Sequence, residues 1–180
     1  MRGRTGVGAA ALVCAVALGG CTADAGTQPT PSPTPSAATP TESAAERQER
    51  LDYAAAEKAY RTFRAEYGRV LRAGGAKEPT KLMRETAGGD YLKEFQEIVA
   101  AYEGIGARDE GRERIAYVRR TGYSRTTLVL DVCEDGREIT TLAEGRRIKG
   151  EVRSATLELR LVDGRWKVWS GTGREVSRCD

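Results

Sequence analysis

Residues 153–170 read RSATLELRLVDGRWKVWS, and this stretch decides the β half of the fold. Leucines alternate with polar residues before Asp163, and Trp166 and Val168 continue the alternation after Gly164. A period of two is typical of a strand with one buried face. An Asp-Gly pair between two such runs is a strong signal for a tight hairpin. We therefore predict an antiparallel hairpin near the end of the chain.

Two earlier segments show the same alternation, Ile115 with Tyr117 and then residues 128–132. Thr121-Gly122 predicts the turn between them, and residues 134–136, Glu-Asp-Gly, predict the turn that follows. A weaker strand signal covers residues 137–142. Together with the terminal hairpin, these runs predict one curved antiparallel sheet of about four strands.

The part of the chain before residue 112 has helical periodicity. Apolar residues recur at steps of three and four at Tyr53, Ala56, Tyr60, Phe63, Tyr67 and Val70. They predict a helix over about residues 44–73, ended by Gly74-Gly75. A short helix is expected at residues 80–87, and a third from an N-cap at Asp90 to Gly104 and Gly106.

Helices followed by strands are typical of an α+β domain with its helices on one face of the sheet. We expect one such domain over residues 44–180, with three helices and no internal repeat. Which face of the sheet the helices cover is left open by the sequence.

The N-terminus predicts export and a lipid anchor. Residues 1–21, MRGRTGVGAAALVCAVALGGC, have a basic start and an apolar stretch at 7–18, shorter than the roughly 20 residues of a membrane span. Residues 18–21, Leu-Gly-Gly-Cys, resemble a bacterial lipobox. We expect residues 1–20 to be removed and Cys21 to be lipidated; the alternative is an ordinary signal peptide with an incidental cysteine.

Residues 21–43, with five of the six prolines, predict a disordered tether. The expected location is the outer face of the cytoplasmic membrane.

Charge and composition exclude several functions. The 180 residues carry 29 Lys+Arg against 26 Asp+Glu, so we expect no nucleic-acid partner. Histidine is absent, which excludes Ser-His-Asp and Cys-His catalysis and His-ligated zinc. We expect neither a metal site nor a cofactor.

Two cysteines remain in the expected exported domain, Cys133 and Cys179. An even number in an oxidising compartment predicts a disulfide, which would hold the C-terminal segment. A redox-active pair is the weaker alternative, because the two cysteines lack the C-x-x-C spacing.

The order of several segments resembles a known family. These are Ala59-Tyr60-Arg61-Thr62-Phe63, Asp131-x-Cys133-x-Asp135 and residues 163–168, DGRWKV, followed by a last cysteine. They are similar to small secreted proteins and lipoproteins of high-G+C Gram-positive bacteria with the nuclear transport factor 2-like (NTF2-like), ketosteroid isomerase-like cone fold. The resemblance implies helices against a bent sheet with a conical pocket between them. It implies no single activity.

An acid-base enzyme of this shape would need polar side chains facing the cone. The candidates are Tyr60, Tyr67, Tyr102 and Asp131; the alternative is that the tyrosines only complete the core. A second candidate surface combines Trp169 with Arg165 and Lys167, on the strand face opposite Trp166, as a partner contact or as a tryptophan shielded by cationic stems.

We therefore predict an extracytoplasmic lipoprotein that binds another envelope protein and has no catalytic role. The sequence leaves two alternatives open. One is a small-ligand binder or an isomerase- or dehydratase-like enzyme using the cone, and the other is an electrostatic module for the cell wall or membrane surface.

Overall fold

The computed structural model describes residues 42–180. The predicted signal segment 1–20, the lipidation site Cys21 and the tether up to residue 41 lie outside the described residues.

In the described part of the chain, three helices precede the strands: α1 Ala44–Arg72, α2 Lys81–Thr86 and α3 Gly89–Ile105. A capping box starts α1, because Ser43 Oγ accepts from the Glu46 amide and Glu46 in turn accepts from the Ser43 amide. The N-cap of α3 is Gly88, so the prediction of Asp90 was wrong. Gly88 occupies that position because its backbone bonds to the neighbouring strand, which leaves Asp90 in the first turn.

Within residues 42–180, seven strands form two antiparallel sheets. They are β1 Arg108–Glu110, β2 Arg114–Tyr123, β3 Thr127–Asp135, β4 Thr140–Ala143, β5 Arg146–Lys149, β6 Val152–Val162 and β7 Arg165–Val176. The larger sheet has the order β2-β3-β6-β7, and the smaller sheet has the order β1-β4-β5. The α+β class is confirmed, but the single sheet of about four strands was wrong.

The second sheet arises where the chain leaves β3 and returns to β6. The Gly136 amide donates to the Glu151 carbonyl at 2.9 Å, and the Gly150 amide donates to the Ile139 carbonyl at 3.1 Å. A Cβ on either glycine would lie within 2.8 Å of backbone oxygen, so this crossing needs glycine. Sequence alternation missed β1 and β5 because β1 has three charged residues and β5 is exposed throughout.

The terminal hairpin has the predicted turn, with Asp163 and Gly164 both at positive φ. The turn expected at Thr121-Gly122 was wrong, because β2 continues to Tyr123 and bulges there. A second bulge between Ile115 and Tyr117 puts these two residues on opposite faces, against the alternation expected for them.

The helices cover the leucine face of the larger sheet. The buried core joins Tyr60 and Phe63 of α1 to Leu130 of β3, Leu159 of β6 and Val168 of β7. The opposite face carries the Cys133–Cys179 disulfide, with the two Cα atoms 5.7 Å apart. The predicted disulfide is therefore confirmed, and it attaches the segment after β7 to β3.

Candidate functional site

A group of charged side chains lies between α1 and the larger sheet. Arg64 of α1 bonds both carboxylate oxygens of Glu113 and lies 3.0 Å from Oε1 of Glu134. Tyr60 donates from its hydroxyl to the same Glu134 oxygen at 2.6 Å. The three charged side chains are only 10–20% exposed. We call Tyr60, Arg64, Glu113 and Glu134 the buried ion cluster.

Local structure explains why these four groups meet. Tyr60 and Arg64 are one helical turn apart and share a face of α1. Glu134 has the same parity along β3 as Leu130 and Val132, so it points towards the helices. Glu113 precedes β2, and β2 pairs with β3 so that Ile115 lies opposite Glu134.

Burial and charge together set the protonation of the cluster. Burial raises the pKa of Glu134, although Arg64 opposes this effect by attracting the ionised carboxylate. Burial opposes the charge on Arg64, but Glu134 and Glu113 outweigh it and hold the pKa of the guanidinium well above its usual range. Burial, reinforced by Glu134, raises the pKa of the Tyr60 hydroxyl, which therefore stays a proton donor.

A small cavity of about 160 Å³ adjoins the cluster, between α3 and the larger sheet. Its lining includes Arg64, Glu134, Tyr67 and Tyr91. Aromatic rings pack against one another in its lining, with the ring centre of Phe95 4.6 Å from the ring centres of both tyrosines. The cavity is smaller than the 300–1,000 Å³ typical of sites for drug-sized ligands.

The chemistry open to the cluster is limited by its own contacts. A carboxylate with a raised pKa beside a tyrosine could exchange protons with a bound molecule. Here, however, Glu134 already accepts from Tyr60 and pairs with Arg64, while Arg64 also holds Glu113. Proton transfer would therefore require Arg64 or Tyr60 to give up a buried partner.

The structure brings only two of the four predicted pocket residues to this place. Tyr60 belongs to the cluster, and Tyr67 lines the cavity. Tyr102 lies elsewhere, where its hydroxyl donates to Asp109 at 3.0 Å beside the smaller sheet. Asp131 points to the opposite face of the larger sheet and accepts from Thr156 at 2.7 Å.

Sequence reasoning missed Arg64, Glu113 and Glu134. One signal for Glu134 was available, because a charged residue at a core-facing position of an alternating strand needs a buried partner. Arg64 follows Tyr60 by one helical turn on the buried side of α1, so it was a candidate for that partner.

The predicted partner surface also makes contacts within the domain. Trp169 is the extra residue of a bulge in β7. Its ring packs against Gly88 and Gly89, because a Cβ on either glycine would lie within 2.7 Å of a ring atom. Lys167 donates to the Arg84 carbonyl at 2.8 Å, and Arg165 lies 3.9 Å from Glu85. These three residues thus hold α2 and the start of α3 against the edge of β7. Their role in binding a partner stays a prediction.

Residues 42–180 contain no group of three or more acidic or cysteine side chains placed to hold a metal ion. In the same range, no helix is both long and apolar enough to cross a membrane.

The chain matches no protein-family model and no curated protein. Solved structures to which it is similar include NTF2-like proteins, the fold family that its sequence resembles. The intermembrane-space region of the chloroplast protein ARC6 is 13% identical, with a TM-score of 0.49 and coverage of 67% of this chain and 97% of that one. An NTF2-like family member from Streptomyces avermitilis is 14% identical, with a TM-score of 0.46 and coverage of 71% and 98%. An NTF2-like protein from Novosphingobium aromaticivorans is 10% identical, with a TM-score of 0.45 and coverage of 76% and 92%. At such identities these similarities give no information on activity.

Proposed function

We propose that the protein is an extracytoplasmic lipoprotein whose α+β domain is a non-catalytic binding module, directed at another protein of the cell envelope. Cys21 would carry the lipid, and the Pro-rich tether would hold the domain away from the outer face of the cytoplasmic membrane. The family of small secreted proteins and lipoproteins that the sequence resembles is consistent with this assignment.

The proposal of a non-catalytic role rests on one observation. The polar side chains of the buried ion cluster already bind one another. Arg64 holds both carboxylates, and Tyr60 uses its hydroxyl on Glu134. A general base or acid needs access to a substrate, but the cavity that Glu134 lines is only about 160 Å³. These groups are well placed to join α1 to the sheet.

The anchor rests on the sequence alone. Diacylglycerol on Cys21, with or without a further acyl chain, supplies the two-chain attachment that stable membrane residence requires. Replacing Cys21 by Ser should block processing or release the protein into the medium. Membrane fractionation and signal removal that are the same in Cys21→Ser and the parent chain would refute the lipid anchor.

A small-ligand or acid-base function is the second candidate, because the pKa of Glu134 is raised in the wall of a cavity. In-cell crosslinking of the full chain separates the two functions when Glu134→Gln is compared with the parent. A binding module should give the same crosslinked partner with both proteins, since the amide keeps the shape of the carboxylate. The second candidate would be favoured if cells carrying Glu134→Gln behaved like cells that lack the protein. In that case the partner should still be captured and the fold should be intact by circular dichroism.

A further inference from the structure

A second concavity, of about 470 Å³, lies between the last turns of α1 and the loop that enters β2. Its floor is apolar and includes Tyr67, Leu71, Ile115 and Ile139. We call this the arginine groove, because arginines occupy both of its walls. Arg72 projects from the α1 side, and Arg112 comes from the loop.

Both of these arginines are exposed, and neither forms an ion pair within residues 42–180. Local backbone helps to place each of them. A Cβ on Gly68 would lie 3.1 Å from Nη1 of Arg72, so the guanidinium lies across this glycine. Gly111, at φ +85°, fixes the loop beside Arg112, because a Cβ there would overlap the Glu138 carbonyl.

The acids that line the groove are already engaged. Glu113 pairs with Arg64, and Asp109 accepts from Tyr102 and from Thr141, the latter at 2.7 Å. Two other arginines of the lining, Arg61 and Arg69, pair with Glu57 and Glu66 on α1. The groove therefore has two arginines without an ion-pair partner among residues 42–180, above an apolar floor and beside the Asp109 carboxylate, whose partners are neutral hydroxyls.

We propose that the arginine groove binds an acidic, aliphatic segment of the partner protein. Carboxylates of that segment would pair with Arg72 and Arg112, and an aliphatic side chain between them would cover the floor. Arginine suits this task because its planar guanidinium can bind a carboxylate through two hydrogen bonds. A membrane fits less well, because a flat array of headgroups does not enter a concavity. The proposal rests on the proposed binding function, and it specifies the chemistry of the partner.

The test uses the full chain in non-ionic detergent and a fluorescein-labelled peptide of alternating Glu and Leu, measured by anisotropy. The peptide should bind, its affinity should fall as salt is raised, and a Gln-Leu peptide should bind at least about tenfold more weakly. Arg72→Gln/Arg112→Gln should weaken Glu-Leu binding by about tenfold or more. The matched control is Arg125→Gln/Arg174→Gln, which removes the same charge from exposed positions outside the groove and should change affinity less than about twofold.

A charge-swapped pair makes the test independent of small losses in stability. The Arg72→Glu/Arg112→Glu chain should no longer bind the Glu-Leu peptide and should bind a Lys-Leu peptide instead. Equal losses in the groove and control variants, equal binding of the Gln-Leu peptide, or binding to anionic vesicles but not to the peptide would overturn the proposal. If the Arg72→Gln/Arg112→Gln chain still crosslinks its cellular partner, the binding function stands and only the groove is refuted.

Discussion

Replacing Arg64 by Met is the most direct test of the buried ion cluster. Methionine keeps an unbranched apolar stem over Tyr67 and Phe95, whose rings lie 5.1 and 5.4 Å from the guanidinium carbon. It removes the guanidinium that pairs with both Glu113 and Glu134. Removing one partner of a buried ion pair typically costs about 3–5 kcal/mol, because the remaining charge is left uncompensated. We expect a loss in this range at pH 8.

The loss should depend on pH in a defined direction. Burial already raises the pKa of Glu134, and without the attraction of Arg64 this pKa should rise further. A carboxylate whose pKa is higher in the folded state destabilises the fold as pH rises through the interval between its unfolded and folded values. The difference between Arg64→Met and the parent should therefore shrink as the pH falls from 8 to 5.

Urea unfolding followed by far-ultraviolet circular dichroism measures both effects. Arg61→Met is the surface control, because Arg61 pairs with Glu57 on exposed helix and should cost less than about 1 kcal/mol. Adding Glu113→Gln and Glu134→Gln to Arg64→Met should recover much of the loss, since a wholly neutral replacement leaves no buried charge. A loss below about 1 kcal/mol, or one equal at pH 5 and pH 8, would refute the reasoning.

Three further substitutions test other contacts by the same unfolding measurement. Tyr60→Phe removes the hydroxyl that donates to Oε1 of the buried Glu134 carboxylate and leaves Arg64 as the remaining partner of that oxygen, so it should cost about 1–3 kcal/mol; an unchanged midpoint would contradict this role. Replacing Cys133 by Ala together with Cys179 by Ser opens a 46-residue separation and should cost about 4 kcal/mol, whereas equal stability of the oxidised parent and the variant would show that the bridge does not stabilise the domain. Gly75→Ala would place a Cβ 2.4 Å from backbone atoms of α3, while a Cβ in Gly106→Ala, also at positive φ, meets open space. Gly75→Ala should therefore lower the free energy of unfolding clearly more than Gly106→Ala. Equal losses would mean that the positive φ, and not the close contact, sets the cost.

Much of the fold followed from local patterns in the sequence. Steps of three and four predicted α1 to within a residue or two, and the Asp163-Gly164 pair predicted the terminal hairpin. The Cys133–Cys179 pairing followed from counting cysteines. Local patterns worked here because dihedral preference, helix faces and turn chemistry depend on neighbouring residues.

The candidate site was only partly predictable, because its contacts join distant residues. Tyr60 and Glu134 are 74 positions apart, and Arg64 and Glu113 are 49 apart. Asp131 lies on the face of β3 opposite the helices, and strand alternation does not show which face the helices cover. A bulge separated Ile115 from Tyr117, and no alternation pattern reports such a bulge.

The sequence by itself determined the order and type of most elements, the disulfide and the exclusion of histidine chemistry. The tertiary structure decided that the chain leaves β3 through Gly136 to build a second sheet, and that Arg64 is enclosed with two carboxylates. The physical reason is that the sequence position of a charged residue does not by itself determine whether its side chain is exposed or buried. Glu134 shares a face of β3 with Leu130 and Val132, but whether it is a solvated group at the end of that face or a buried acid depends on how far α1 covers the strand, which long-range packing decides.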